Sequence, residues 1–111
     1  MKRLEGKYAL ITGGSKGLGR QLAVDFVMEG AAGTSIVARH IEHLNEVKAK
    51  INEINPNTMV LVVAADLSRR EDIERFTAMT LHEFKGRLDI LVNNASTIGP
   101  SSRPFFNVRG L

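Results

Sequence analysis

The residues best suited to chemistry in this 111-residue chain form one run, Thr12-Gly13-Gly14-Ser15-Lys16-Gly17-Leu18-Gly19. An apolar stretch leads straight into it and a helical period begins inside it. A glycine-rich turn between a strand and a helix lets the main chain approach a pyrophosphate closely. The helix N-terminus then adds free N–H groups and the positive end of its dipole. The spacing is Gly-x-x-x-Gly-x-Gly, which differs from the Gly-x-Gly-x-x-Gly dinucleotide fingerprint, and no Gly-Lys-Ser/Thr triplet of a P-loop occurs. Two further positions stand where apolar runs end: Ala38-Arg39 and Asp66-Leu67. The end of a buried parallel strand is the ligand-binding edge of an open α/β sheet.

These residues need a scaffold, and the hydrophobic pattern supplies one. Residues 8–12 read as a first strand. From Gly17 the apolar positions Leu18, Leu22, Ala23, Phe26 and Val27 recur at helical spacing until Gly30. A second strand is expected over residues 35–38. Ile41, Leu44, Val47, Ile51 and Ile54 mark the face of a second helix, stopped at Asn55-Pro56. Residues 59–64 are almost uninterruptedly apolar, as in a strand buried on both faces. Ser68-Arg69-Arg70-Glu71 predicts a capping box for a third helix with Ile73, Phe76 and Phe84 turned inward, and residues 88–92 a fourth buried strand. Strands alternating with helices predict an α/β fold with a parallel sheet and right-handed crossovers. Residues 97–111, with Pro100, Pro104 and Gly110 and no acidic side chain, are expected to form an irregular tail on a domain of residues 1–96.

In motif and order the chain resembles the short-chain dehydrogenase/reductase family. Thr12-Gly13-x-x-x-Gly17-x-Gly19 is similar to its nucleotide-binding motif, Ala65-Asp66-Leu67 to a second motif and Asn93-Asn94-Ala95-Ser96 to a third, where Ser96 replaces the usual glycine. The resemblance implies a partial Rossmann-like sheet of about four strands in the order 3-2-1-4. It also implies roles: Gly13, Gly17 and Gly19 along the pyrophosphate and adenosine ribose, with Ser15 and Leu18 on phosphate. Asp66 would accept from the adenine amino group under a cover of Leu67. Asn93 and Ala95 would stand beside the riboses, and Thr12 would tie the first strand to the Asn93 turn.

Cofactor choice turns on the end of the second strand. A chain selecting NAD(H) needs an acidic residue there for the ribose hydroxyls, and that carboxylate repels a 2′-phosphate. Here Ala38 occupies the position and Arg39 follows. A guanidinium can hold a phosphate through two parallel hydrogen bonds, and Lys16 offers a second positive charge from the glycine loop. NADP(H) is therefore expected rather than NAD(H).

Family members reduce a carbonyl or oxidise an alcohol with an Asn, a Ser and a Tyr-x-x-x-Lys pair. The one tyrosine of this chain is Tyr8, and Thr12 stands four residues on. No catalytic residue is assigned. The expected function is the cofactor-binding N-terminal part of an NADP-dependent short-chain oxidoreductase, inactive by itself, whose carbonyl or alcohol substrate is bound only in an intact enzyme. A non-catalytic nucleotide-binding or interaction module, complete at 111 residues, is the alternative. Without a fifth strand the apolar edge at residues 88–92 would lie open and favour self-association.

Composition bounds the rest. With 43% hydrophobic and 24% charged residues the chain has the make-up of a globular domain. The net charge of +3 is scattered rather than blocked and aromatic residues make up 5%, which argues against a nucleic-acid partner. No stretch nears the roughly 20 apolar residues of a membrane span. The absence of cysteine fits a reducing cytoplasm and removes thiolate metal sites. His40 and His43 are expected to be solvated on their helix, and no metal site is assigned.

Overall fold

The computed structural model describes residues 3–13, 17–93 and 105–108, the last four as main chain. Three strand–helix units follow one another: β1 (Tyr8–Thr12) and α1 (Gly17–Met28), β2 (Gly33–Ala38) and α2 (Ile41–Ile54), β3 (Met59–Ala64) and α3 (Arg70–Glu83). β4 (Ile90–Asn93) and β5 (Phe105–Val108) complete a sheet of order β3-β2-β1-β4-β5. The first four strands are parallel, in the order expected of a Rossmann-like sheet.

Because successive strand side chains point to opposite faces, the core divides in two. Ala9, Ile11, Ile36, Ala38, Ile90 and Val92 pack under α1 and α2 with Ala23, Val27, Leu44, Val47 and Ile51. Leu10, Val37, Val63 and Ala65 face the other way and meet Phe76 of α3. The result is a doubly wound layer with two helices on one face and one on the other.

Several expectations change. The edge of β4 is not open: β5 runs antiparallel along it, with Ile90 opposite Val108 and Asn93 opposite Phe105. The segment expected to be irregular therefore contains a strand. Four residues are too few to show a period, and an antiparallel return needs only a free edge of N–H and C=O groups. β3, expected to be buried on both faces, is the outer strand at the other end and is half-exposed, Met59 by 40%. The strand enclosed along its whole length is β2, which starts at Gly33 rather than residue 35. Gly33 and Thr34, neither of them part of an apolar run, hid its first two residues from a reading based on such runs.

Gly33 is fixed by close approach. A Cβ there would lie 2.7 Å from Tyr8 Cδ1 and 2.8 Å from Phe84 Cε1, and Phe84 is buried. The capping box does not form. Arg69 is the N-cap of α3 with no side-chain cap bond, since Ser68 is occupied elsewhere. Ile73, expected inward, is 41% exposed, whereas Phe76 and Phe84 are buried. β4 starts at Ile90 because Asp89 turns its carboxylate to the Tyr8 N–H (2.8 Å) and gives its own N–H to the Tyr8 carbonyl (2.8 Å).

Candidate functional site

Parallel strands bring their C-terminal ends to one edge, and most residues singled out from the sequence arrive there. β1 delivers Thr12 and Gly13, β2 Ala38 and Arg39, β3 the Ala65-Asp66-Leu67 turn, and β4 Asn93. β1 lies between β2 and β4, so the chain reverses its winding direction between β1 and β4, where open α/β sheets form their ligand crevice.

The glycine turn is shaped by backbone conformations that side chains disfavour. Gly13 (φ 71) donates its N–H to the Val37 carbonyl at 2.6 Å and leaves β1 in the left-handed region. Gly17 (φ 57) opens α1 in the same region, with no atom within 4 Å of where a Cβ would stand. At Gly17 the start of α1 therefore presents main chain without a side chain over it. Gly19 is buried inside α1. Leu18, one residue before it, is 55% exposed. Ser15, Lys16 and Ala95 lie outside the described residues.

The floor of the crevice is tied by side chains. The Thr12 hydroxyl donates to Asn93 Oδ1 at 2.9 Å, and the two residues are also register partners across β1 and β4. This is the tie expected of Thr12. It joins the C-terminal ends of β1 and β4.

On the other side of β1 stands a second group. Ala38 and Ala64 are register partners at the ends of β2 and β3, and the Ala65 N–H donates to the Ala38 carbonyl at 2.9 Å. One step beyond, Arg39 Nη2 reaches Asp66 Oδ1 at 3.6 Å. The same Oδ1 accepts from the Ser68 hydroxyl (2.7 Å) and the Ser68 N–H (2.9 Å), an Asx turn. The Asp66 N–H donates to Asp72 Oδ2 at 2.7 Å, and Arg75 pairs with Asp72 while donating to the Ala64 carbonyl at 3.1 Å. The Ser68 hydroxyl and then the Ser68 N–H hold the Asp66 carboxyl below the ordinary aspartate range; desolvation opposes them, and Arg39 adds a weaker pull in the same direction as Ser68. Asp66 is thus an anchored anion at the edge of the sheet, with a half-buried Leu67 beside it.

The brace from Ser68, Asp72 and Arg75 escaped the sequence reading. Asp66-x-Ser68 carried the signal, since Asp two residues before Ser favours an Asx turn, but the same serine also fitted a helix cap. His43 likewise departs from expectation. It is half-buried, and its Nδ1 has no hydrogen-bond partner among the described residues. His40 is exposed, its ring 5.7 Å from that of His43. Among the described residues no group of three or more His, Asp or Glu could hold a metal ion, and no helix is long and apolar enough to cross a membrane.

Comparison with known proteins agrees with this geometry. The family model for short chain dehydrogenase matches residues 7–108. The chain is 43% identical over 95 residues to 11-beta-hydroxysteroid dehydrogenase 1A of Arabidopsis thaliana, covering 85% of this chain and 26% of that protein. It is 39% identical over 97 residues to levodione reductase of Leifsonia aquatica, covering 87% of this chain and 36% of that protein. Among solved structures, L-sorbose reductase from Gluconobacter frateurii, complexed with NADPH and L-sorbose, superposes with a TM-score of 0.79 at 38% identity, covering 87% of this chain and 36% of the other. The chain thus spans about a quarter to a third of the length of these relatives. Three motifs in register, a 3-2-1-4 parallel sheet with a glycine turn at its switch point, and the match over residues 7–108 make this chain a member of the short-chain dehydrogenase family.

Proposed function

We propose that this chain is the NADP(H)-binding part of a short-chain oxidoreductase that interconverts a carbonyl and an alcohol. The observation that carries the cofactor assignment is the end of β2. Ala38 stands where an NAD-selecting chain needs a carboxylate, and the Arg39 guanidinium, 70% exposed, extends over that edge. In this reading Gly13, Gly17 and Gly19 give the pyrophosphate its approach, with Ser15 and Leu18 beside it. Asp66 accepts from the adenine amino group, Leu67 covers the ring, and Asn93 and Ala95 flank the riboses. Arg39 and Lys16 hold the 2′-phosphate.

The cofactor supplies the hydride. The chain's own contribution is to bind and orient the dinucleotide. With Tyr8 as its one tyrosine and Thr12 four residues on, these 111 residues lack the family's Tyr-x-x-x-Lys acid–base pair and carry out no turnover by themselves.

Fluorescence titration with NADPH and NADH tests the proposal. A charge-assisted hydrogen bond contributes about 1.5–3 kcal/mol, so NADPH should bind about ten- to a hundredfold more tightly. Arg39→Ala should remove most of that preference without weakening NADH. Equal affinity for the two cofactors in the parent chain would overturn the assignment.

A further inference from the structure

β5 covers the β4 end of the sheet, but the other end has no such cover among the described residues. There β3 pairs with β2 on one side and with no strand on the other. Hydrogen bonds at the two ends of β3 fix which main-chain groups face outward. The Met59 N–H donates to the Ala32 carbonyl at 3.0 Å, and the Ala65 N–H to the Ala38 carbonyl at 2.9 Å. The N–H and C=O groups of successive strand residues point to opposite sides, so Leu61 and Val63 also turn toward β2. Val60, Val62 and Ala64 turn outward. The Ala64 carbonyl agrees, since it accepts from Arg75 Nη2 at 3.1 Å. Among the described residues nothing meets the outward N–H and C=O of Val60 and Val62. The strand also lacks the devices that blunt an edge, such as charges, proline, a bulge or short length. Met59–Ala64 is six apolar residues in unbroken register with β2, and Met59 is 40% exposed.

We propose that the outer edge of β3 binds a second copy of this chain, strand to strand, in a two-fold dimer where Val60 of one copy pairs with Val62 of the other. Three features select a second copy. With the strands antiparallel about a two-fold axis at Leu61, the edge answers itself. The N–H and C=O of Val60 meet those of Val62 in the second copy, while Arg75 keeps the Ala64 carbonyl. The side chains brought together are all apolar, so no like charges oppose each other. Leu61 meets its own copy and Met59 meets Val63 on the α3 face of the sheet, and Val60 meets Val62 on the opposite face. Because β5 covers the far end, each copy offers one edge and assembly closes at two. The contact runs along the side of β3, away from the crevice between β1 and β4, and stands independently of the cofactor reading.

Sedimentation equilibrium and amide hydrogen exchange on the full chain test the proposal. The parent should dimerise, and exchange at the Val60 and Val62 amides should slow several-fold as concentration rises. The Leu61 and Val63 amides, which face β2, should not respond. Val62→Pro removes an outward N–H at a position where an edge strand tolerates proline. It deletes two hydrogen bonds from the symmetric dimer and should weaken association about tenfold or more. Met59→Lys places a charge on the exposed end of the strand and should act in the same direction, with circular dichroism reporting that both variants are folded. A parent that stays monomeric up to about 100 micromolar would overturn the proposal. So would folded variants that dimerise as the parent does, or a parent dimer whose Val60 and Val62 amides exchange no more slowly than in the monomer.

Discussion

The Ser35 and Thr80 hydroxyls lie 2.7 Å apart in the space between β2 and α3, and both residues are fully buried. They join α3 to β2, the strand enclosed between β1 and β3. Thr80→Val keeps the branched shape and removes the partner, leaving the Ser35 hydroxyl buried without a bond. An orphaned buried polar group costs about 1–3 kcal/mol, and Val and Thr have similar helix propensity. Ser35→Ala is expected to cost less, about 0.5–1 kcal/mol, because Thr80 can turn its hydroxyl to the Phe76 carbonyl four residues earlier in α3. The double variant removes both polar groups together and should lie close to the parent, giving a coupling of about 1.5–4 kcal/mol. Urea unfolding reads this directly. With a slope of about 1–3 kcal/mol per molar, the Thr80→Val midpoint should fall by about 0.5–1 M at unchanged slope, and the double variant should recover most of the loss. A double variant at the sum of the two single losses would show that the hydroxyls do not act as a pair. α3 also carries Asp72, which pins the Asp66 N–H, so the loosened single variant should bind 5′-AMP more weakly than the double.

Three further outcomes follow from the same structure. Gly33→Ala should destabilise the chain by about 1–3 kcal/mol in the same unfolding assay, because the new methyl meets the Tyr8 and Phe84 rings at 2.7 and 2.8 Å; a change below about 0.3 kcal/mol would mean the rings move aside. Ala38→Asp should turn the cofactor preference from NADPH to NADH by adding a ribose-hydroxyl acceptor and repelling a phosphate. It should also lower the melting temperature, since Ala38 is only 9% exposed, and retained NADPH preference in a folded variant would contradict the role given to the end of β2. Ending the chain at residue 104 should bare the β4 edge that β5 covers and raise self-association in sedimentation at tens of micromolar, on the principle that unpaired strand edges recruit other chains; an unchanged monomer fraction would refute it.

Much of this protein was legible in local pattern. The helical spacing from Gly17 to Gly30 and from Ile41 to Ile54 located α1 and α2, and the apolar run of residues 59–64 located β3, because burial of one stripe or one run leaves a periodic trace. The glycine turn was legible for a different reason. Left-handed φ at Gly13 and Gly17 restricts residue type, so the backbone requirement is written into the sequence. The end of β2 at Ala38, with Arg39 following, was legible as the point where an apolar run stops.

What required the tertiary structure was everything that depends on which element lies beside which. The enclosure of β2 comes from strands on both sides, so its Thr34 and Ser35 are buried despite being polar, and the more apolar β3 is half-exposed at the sheet's end. β5 reads as loop because four residues carry no period, and its strand character comes from the free β4 edge it pairs with. Ser68 looks like a helix cap along the chain, but in space its hydroxyl serves Asp66. The Arg39–Asp66 pair joins residues 27 positions apart. Neither residue announces the other in sequence, and only the parallel pairing of β2 with β3 sets an always-charged guanidinium against a carboxylate at the edge where the nucleotide is proposed to bind.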